Sequence, residues 1–89
     1  MFEYEVKNRV PILFAISTCP RCTRMKKFLN NNNISSKIID VDLLGIGEKK
    51  AIFKFIQPMN PNLIFPTLIV GDLAIIGEDY DGTKEVLNL

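Results

Sequence analysis

The chain has 89 residues and a formal net charge of +1, so we expect one small domain spanning residues 1–89, and its charge indicates neither a nucleic-acid partner nor a polybasic membrane anchor. Apolar residues make up 47% of the sequence, enough for one core, but no apolar run approaches the roughly 20 residues of a membrane span. Residues 1–9 mix acids and bases without the apolar centre of a signal peptide, which predicts a cytoplasmic protein.

The first half of the chain alternates between short apolar and amphipathic segments. Residues 1–9 are predicted to form a polar lead-in, and the continuous apolar run 10–16 predicts a buried strand. A helix is predicted over residues 20–30, with Cys22, Met25 and Leu29 on one face, and the asparagines that follow favour its end.

The second half repeats this alternation and adds a hairpin. A second strand is predicted over residues 36–41, and a second helix over residues 47–57, with Ile52, Phe55 and Ile56 on its apolar face. The predicted elements that follow are strands at 67–70 and 73–76 around a Gly-Asp turn, a polar loop at 77–82 and a short helix at 83–87. The order β-α-β-α-β-β-α predicts an α/β fold in which helices cover a mixed four-stranded sheet.

The two cysteines of the chain, Cys19 and Cys22, lie where the first strand turns into the first helix. Unpaired N–H groups and the helix dipole stabilise a thiolate at such a position, and the thiolate is the reactive form of cysteine. Pro20 suits the first helical position, which needs no N–H partner. The cations Arg21, Arg24, Lys26 and Lys27 are also expected to lower the pKa of Cys19.

Redox chemistry and metal binding both use this cysteine spacing. A disulfide that closes so small a loop would contribute little as a structural staple, and a reducing compartment favours catalytic disulfides. Because the chain has no histidine and tetrahedral zinc needs four ligands, zinc or an iron–sulfur cluster would have to be shared between two chains or use external thiols. Thiol–disulfide exchange is therefore the leading hypothesis, without any metal or organic cofactor, and a metal or iron–sulfur module is the alternative.

Three segments carry a resemblance to a known family: residues 14–22 with the C-P-x-C motif, residues 65–72 around Pro66, and residues 73–77 ending in Gly77. Together they resemble the thioredoxin fold, and most of all its glutaredoxin branch. The resemblance implies that Cys19 is the exposed nucleophile and Cys22 the resolving thiol. It also implies that the bond before Pro66 is cis, that Pro66 faces the cysteines, and that the backbone of Phe65 pairs with an extended substrate.

On this resemblance the substrate-binding residues are expected to be Pro20, Arg21, Phe65, Pro66, Thr67 and Gly77. The expected activity is that of a protein-disulfide reductase, and the expected partner of the monomer is a protein or small molecule that carries a disulfide.

Departures from the glutaredoxin pattern concern the electron donor. Ile16 stands where the family usually has a lysine that binds a glutathione carboxylate, and Phe65 stands where the family has valine. Glu78 replaces the second glycine of the family pattern, and Asp81 is a loose match to the family's aspartate. The carboxylates of Glu78 and Asp79 either belong to a solvated loop or select a cationic or protein substrate over glutathione. The departures disfavour glutathione and leave a thioredoxin-reductase-type protein as the other candidate reductant.

Overall fold

The computed structural model describes residues 10–89 and contains a four-stranded mixed sheet in the order β2-β1-β3-β4. The strands are β1 (Ile12–Ala15), β2 (Lys37–Asp40), β3 (Thr67–Val70) and β4 (Leu73–Ile76). β1 pairs with β2 in parallel and with β3 antiparallel, and β3 and β4 form the predicted hairpin. The sheet therefore confirms the predicted architecture, while the predicted lead-in at residues 1–9 lies outside the described residues.

In the described part of the chain, two helices and one 3₁₀ turn connect these strands, and a third helix follows β4. The helices are α1 (Pro20–Asn31), α2 (Ile46–Ile56) and α3 (Tyr80–Leu87), and the 3₁₀ turn is Val41–Leu43. Within residues 10–89, none of the helices has the length and apolar character needed to cross a membrane.

Side chains that alternate along β1 divide the core into two layers. Leu13 packs into one layer with Met25 and Leu29 of α1, and residues of α3 cover its margin. Phe14 packs into the other layer with Ile56 of α2. The sheet is thus the middle layer, with α1 and α3 on one face and α2 on the other.

Two details differ from the sequence-based expectation. The last helix begins at Tyr80 rather than at residue 83, because the side chain of Asp79 accepts a hydrogen bond from the N–H of Gly82 at 2.9 Å and caps it. On α2, Phe55 is 53% exposed although its ring centroid lies 6.3 Å from that of Phe14, and Phe53 packs against the same core layer. The period of the sequence identified the helix, but the angle at which α2 lies on the sheet decides how far each phenylalanine is buried.

Candidate active site

The turn between β1 and α1 holds both cysteines. Cys19 is the N-cap residue of α1 with an extended backbone, and Pro20 occupies the first turn as predicted. The N–H of Cys19 donates to the carbonyl of Ile16 at 3.1 Å, and the N–H of Thr23 donates to the carbonyl of Cys19 at 3.0 Å. These bonds fix Cys19 at the point where the helix leaves the sheet.

Cys19 is partly exposed, and its sulfur faces the N–H groups of the first helical turn. The N–H of Cys22 donates to Sγ of Cys19 at 3.4 Å. Partial burial raises the pKa of Cys19, but hydrogen bonds from Cys22 and Arg21 outweigh it, so the pKa lies below the ordinary thiol value. The thiolate is therefore favoured at the accessible sulfur.

Cys22 differs from Cys19 in burial and in acidity. Its side chain is fully buried, and Sγ accepts a hydrogen bond from the N–H of Ile16 at 3.4 Å. Burial and the neighbouring Cys19 together raise the pKa of Cys22 to about 11, against the lowering effect of the Ile16 N–H. Both cysteines are free thiols in the structure, and they differ as an accessible acidic thiol and a buried neutral one.

The expectation that four cations together lower the pKa of Cys19 fails for Arg24, Lys26 and Lys27, which are not among the leading causes of its shift. Arg24 is bound to Glu78, and Lys26 donates to Asp40 at 2.8 Å. Of the four cations, Arg21 contributes to the lower pKa of Cys19, through hydrogen bonding. Since the backbone N–H of Cys22 is the foremost lowering influence, the start of the helix matters more than the charged run that follows it.

Asp42, in the 3₁₀ turn that follows β2, is hydrogen-bonded to the turn that holds the cysteines. Asp42 accepts hydrogen bonds from the N–H and the hydroxyl of Ser17, at 2.8 and 2.5 Å. These bonds lower the pKa of Asp42. Sequence reasoning missed this contact, although one signal was present: β1 and β2 are parallel, so the residues that follow both strands meet at one edge of the sheet.

The strand register brings Pro66 and Gly77 to the edge from which the cysteine turn leaves. Phe14 pairs with Thr67, so Pro66 comes level with Ala15, and the N–H of Gly77 donates to the carbonyl of Pro66 at 2.8 Å. The bond between Phe65 and Pro66 is cis, as the resemblance implied.

A buried amide holds the segment before β3, which we call the Asn60 wall (Asn60 with residues 64–67). Asn60 is 1% exposed; its amide donates to the carbonyl of Ile64 at 2.8 Å and to the hydroxyl of Thr67 at 2.7 Å, and its oxygen accepts from the N–H of Ile64 at 3.2 Å. Among residues 10–89, Phe65 has no hydrogen-bond partner for its own N–H or carbonyl. The Asn60 wall therefore fixes the backbone of Ile64 and leaves the N–H and carbonyl of Phe65 available to a substrate.

Next to the Asn60 wall lies the Glu78 rim (residues 77–79), which is joined to it by the bond from the N–H of Gly77 to the carbonyl of Pro66. Glu78 accepts hydrogen bonds from Nε and Nη2 of Arg24, at 2.6 and 2.9 Å, and from the hydroxyl of Tyr80. Arg24 and Tyr80 lower the pKa of Glu78 to about 2. Glu78 is thus a paired carboxylate, which differs from the expected solvated side chain, whereas Asp79 is exposed and caps a helix.

Asn60 and the pairing of Arg24 with Glu78 were also missed by sequence reasoning. Asn60 lies in a segment rich in proline and asparagine that is typical of a loop, and its burial follows from packing alone. The opposite charges of Arg24 and Glu78 were visible, but they are 54 positions apart, so nothing local links them.

The described residues offer no ready-made metal site within one chain. Within residues 10–89, no three cysteine, aspartate or glutamate side chains are grouped closely enough to hold a metal ion.

Comparisons with known proteins agree with this geometry. A family model described as Glutaredoxin matches residues 12–75. The structure is similar to methanoredoxin from Methanosarcina acetivorans, with 31% identity, a TM-score of 0.85, and coverage of 89% of this chain and 84% of that one. It is also similar to a glutaredoxin from Methanosarcina mazei, with 28% identity, a TM-score of 0.86, and coverage of 90% and 79%.

A glutaredoxin from Archaeoglobus fulgidus shares the fold at 23% identity, with a TM-score of 0.84 and coverage of 97% of this chain and 94% of that one. The comparison with curated proteins found no match. The predicted thioredoxin-like fold is confirmed by these similarities.

Proposed function

Because the chain belongs to the glutaredoxin family and is a thiol–disulfide oxidoreductase, we propose that it reduces the disulfides of protein substrates through Cys19 and Cys22. The observation that carries this proposal is the contrast between the two thiols. Cys19 is accessible and has a lowered pKa, whereas Cys22 is buried one helical turn away with a pKa of about 11. We propose that residues 1–89 act as one domain in this reaction.

In the first step the Cys19 thiolate attacks one sulfur of the substrate disulfide. A new bond forms between Cys19 and that sulfur, the substrate S–S bond breaks, and the other substrate sulfur leaves as a thiolate. The N–H of Cys22, whose nitrogen lies 3.4 Å from Sγ of Cys19, supports this step by favouring the thiolate of Cys19.

In the second step Cys22 attacks Cys19 and releases the second substrate thiolate. The protein is left with a disulfide between Cys19 and Cys22, and the substrate has gained two electrons. The negative charge of Cys19, which raises the pKa of Cys22, disappears once Cys19 is in the mixed disulfide. Cys22 therefore becomes easier to deprotonate when its attack is required, and the departing thiolate can take its proton.

The Asn60 wall supports a role in holding the substrate. The N–H and carbonyl of Phe65 have no partners among residues 10–89 and can pair with an extended chain, as one further strand would. We propose that Pro20, Arg21, Pro66, Thr67 and Gly77 complete the substrate surface, with Thr67 acting through its bond to Asn60.

A trapping experiment tests the assigned roles. In Cys22→Ser the second step is blocked, so the mixed disulfide on Cys19 should accumulate and be visible as a covalent adduct by mass spectrometry. Cys19→Ser should form none, because the remaining thiol is buried and has a high pKa. An adduct on Cys22 in the Cys19→Ser variant, and none on Cys19, would reverse the assignment.

For the electron donor we propose a thioredoxin-reductase-type protein rather than glutathione. Ile16 lacks the positive charge that would attract a glutathione carboxylate, and the guanidinium of Arg24 is already hydrogen-bonded to Glu78. The carboxylate of Asp79 likewise occupies the N–H of Gly82 at the start of α3, where an anion would otherwise be favoured.

Paired turnover assays distinguish the donors. With the same disulfide substrate, a thioredoxin reductase system should support turnover at least about tenfold faster than glutathione with its own reductase, a difference of roughly 1.4 kcal/mol in the activation barrier. Equal or faster turnover with glutathione would contradict the donor proposal, while the trapping result would still test the dithiol reaction.

A further inference from the structure

A groove between α1 and α3 lies beside the Glu78 rim. It has a volume of about 480 Å³, and its lining residues are Arg24, Lys27, Phe28, Asn31, Tyr80 and Lys84. The four residues of α1 are spaced at positions i, i+3, i+4 and i+7, so they form one continuous stripe of the helix. We call this feature the α1–α3 groove.

The floor of the groove is aromatic and its edges are cationic. The rings of Phe28 and Tyr80 contact each other, with centroids 5.0 Å apart. No carboxylate of residues 10–89 forms a salt bridge with Lys27 or Lys84, whereas Arg24 is held by Glu78 at one end of the groove. Since α1 contains no acidic residue, its stripe has no negative charge of its own.

We propose that the α1–α3 groove binds an acidic segment of the partner protein that carries an apolar side chain. Carboxylates of the segment pair with Lys27 and Lys84, and the apolar side chain packs on Phe28 and Tyr80. The groove is open and follows α1, a shape that suits a stretch of polypeptide. This inference rests on the proposed function, because the partner is the protein whose disulfide reacts with Cys19.

The position of the groove sets where the acidic segment must lie. Arg24 follows Cys19 by five positions and Asn31 follows it by twelve, which corresponds to about 7 to 18 Å along a helix that rises 1.5 Å per residue. An extended chain covers about 3.3 Å per residue, so the acidic and apolar side chains should lie about two to five residues from the reacting cysteine.

Binding can be measured apart from redox chemistry with a peptide that lacks cysteine. The probe is a fluorescein-labelled Asp-Glu-Phe-Glu-Asp peptide, and its uncharged counterpart is Asn-Gln-Phe-Gln-Asn. The double variant Lys27→Gln/Lys84→Gln should bind the acidic probe at least about fivefold more weakly than the unmodified protein, because two surface ion pairs are lost. The uncharged probe should bind both proteins equally weakly.

The matched control is Lys50→Gln/Lys54→Gln, which changes the net charge equally at two exposed lysines of α2. Its affinity for the acidic probe should stay within about twofold of the unmodified protein, since both lysines lie on the other side of the sheet. Equal weakening in both double variants, or no preference for the acidic probe, would overturn the proposal.

Catalysis provides the second readout. A peptide disulfide with acids about two to five residues from its cysteine should have a higher kcat/KM than its neutral counterpart. Lys27→Gln/Lys84→Gln should remove that preference while leaving reduction of a small disulfide such as hydroxyethyl disulfide unchanged. If the variant keeps the preference, the groove proposal is wrong. If no disulfide is reduced at all, the proposed function is wrong, and the peptide-binding result stands by itself.

Discussion

The two sides of the candidate site are held by different physical means. The Asn60 wall depends on neutral hydrogen bonds in the interior, where Asn60 is 1% exposed and Thr67 is fully buried. The Glu78 rim depends on charged hydrogen bonds near the surface, where the side chains of Arg24 and Glu78 are 54% and 19% exposed.

This contrast in burial determines how each side responds to its surroundings. Hydrogen bonds in the interior are costly to lose, because an orphaned buried group cannot turn to water, and salt does not screen them. An ion pair near the surface is screened by salt and contributes little to stability. The contribution of the Asn60 wall to stability should therefore not depend on salt, whereas that of the Glu78 rim should fall as salt is added.

The largest effect is expected for Asn60→Ala. This change leaves the N–H of Ile64 without its partner and opens a cavity, so it should lower the free energy of unfolding by about 2–3 kcal/mol. It should also lower kcat/KM for a peptide disulfide more than for a small disulfide, because the backbone of Phe65 is no longer held. Urea unfolding and parallel assays of both substrates measure the two effects.

Asn62→Ala is the matched control for Asn60→Ala, since Asn62 lies in the same loop but is exposed. Asn62→Ala should change neither the free energy of unfolding nor the kcat/KM values of the two substrates. If the two variants behave alike, the buried amide does not hold the wall, and the contrast between the two sides of the site is lost.

A smaller effect is expected for Glu78→Gln, which keeps the shape of the side chain but removes its charge. Stability at neutral pH should fall slightly at low salt, and the difference from the unmodified protein should shrink as salt is added. Glu85→Gln on the exposed surface of α3 is the control and should show neither change. A loss of stability in Glu78→Gln that is as large as that in Asn60→Ala, or that salt does not alter, would contradict the contrast between the two sides of the site.

Acid unfolding sharpens the same comparison. The folded-state pKa of Glu78 is about 2, below its ordinary value of 4.5, so its stabilising effect is present above 4.5 and is lost as the pH falls towards 2. The stability difference between the unmodified protein and Glu78→Gln should therefore disappear across this interval. Asn60 does not titrate, so the deficit of Asn60→Ala should remain constant over the same range.

Much of the fold could be predicted because its signals are local. The apolar run before Cys19, the proline after it and the stripe of Cys22, Met25 and Leu29 all lie within one short stretch of sequence. The beginning of α3 was misplaced, since the capping bond of Asp79 depends on side-chain geometry that a polar loop does not reveal.

The sequence by itself determined the motif, the order of the elements, the hairpin and the acidic character of Cys19, because each follows from neighbouring residues and the start of a helix. Only the tertiary structure decided that Ser17 meets Asp42, that Asn60 is buried beside Thr67, and that Glu78 binds Arg24. The physical reason is that these contacts depend on strand register and helix packing. In the structure, Glu78 is paired with Arg24 rather than solvated, and no carboxylate of residues 10–89 forms a salt bridge with Lys27 or Lys84.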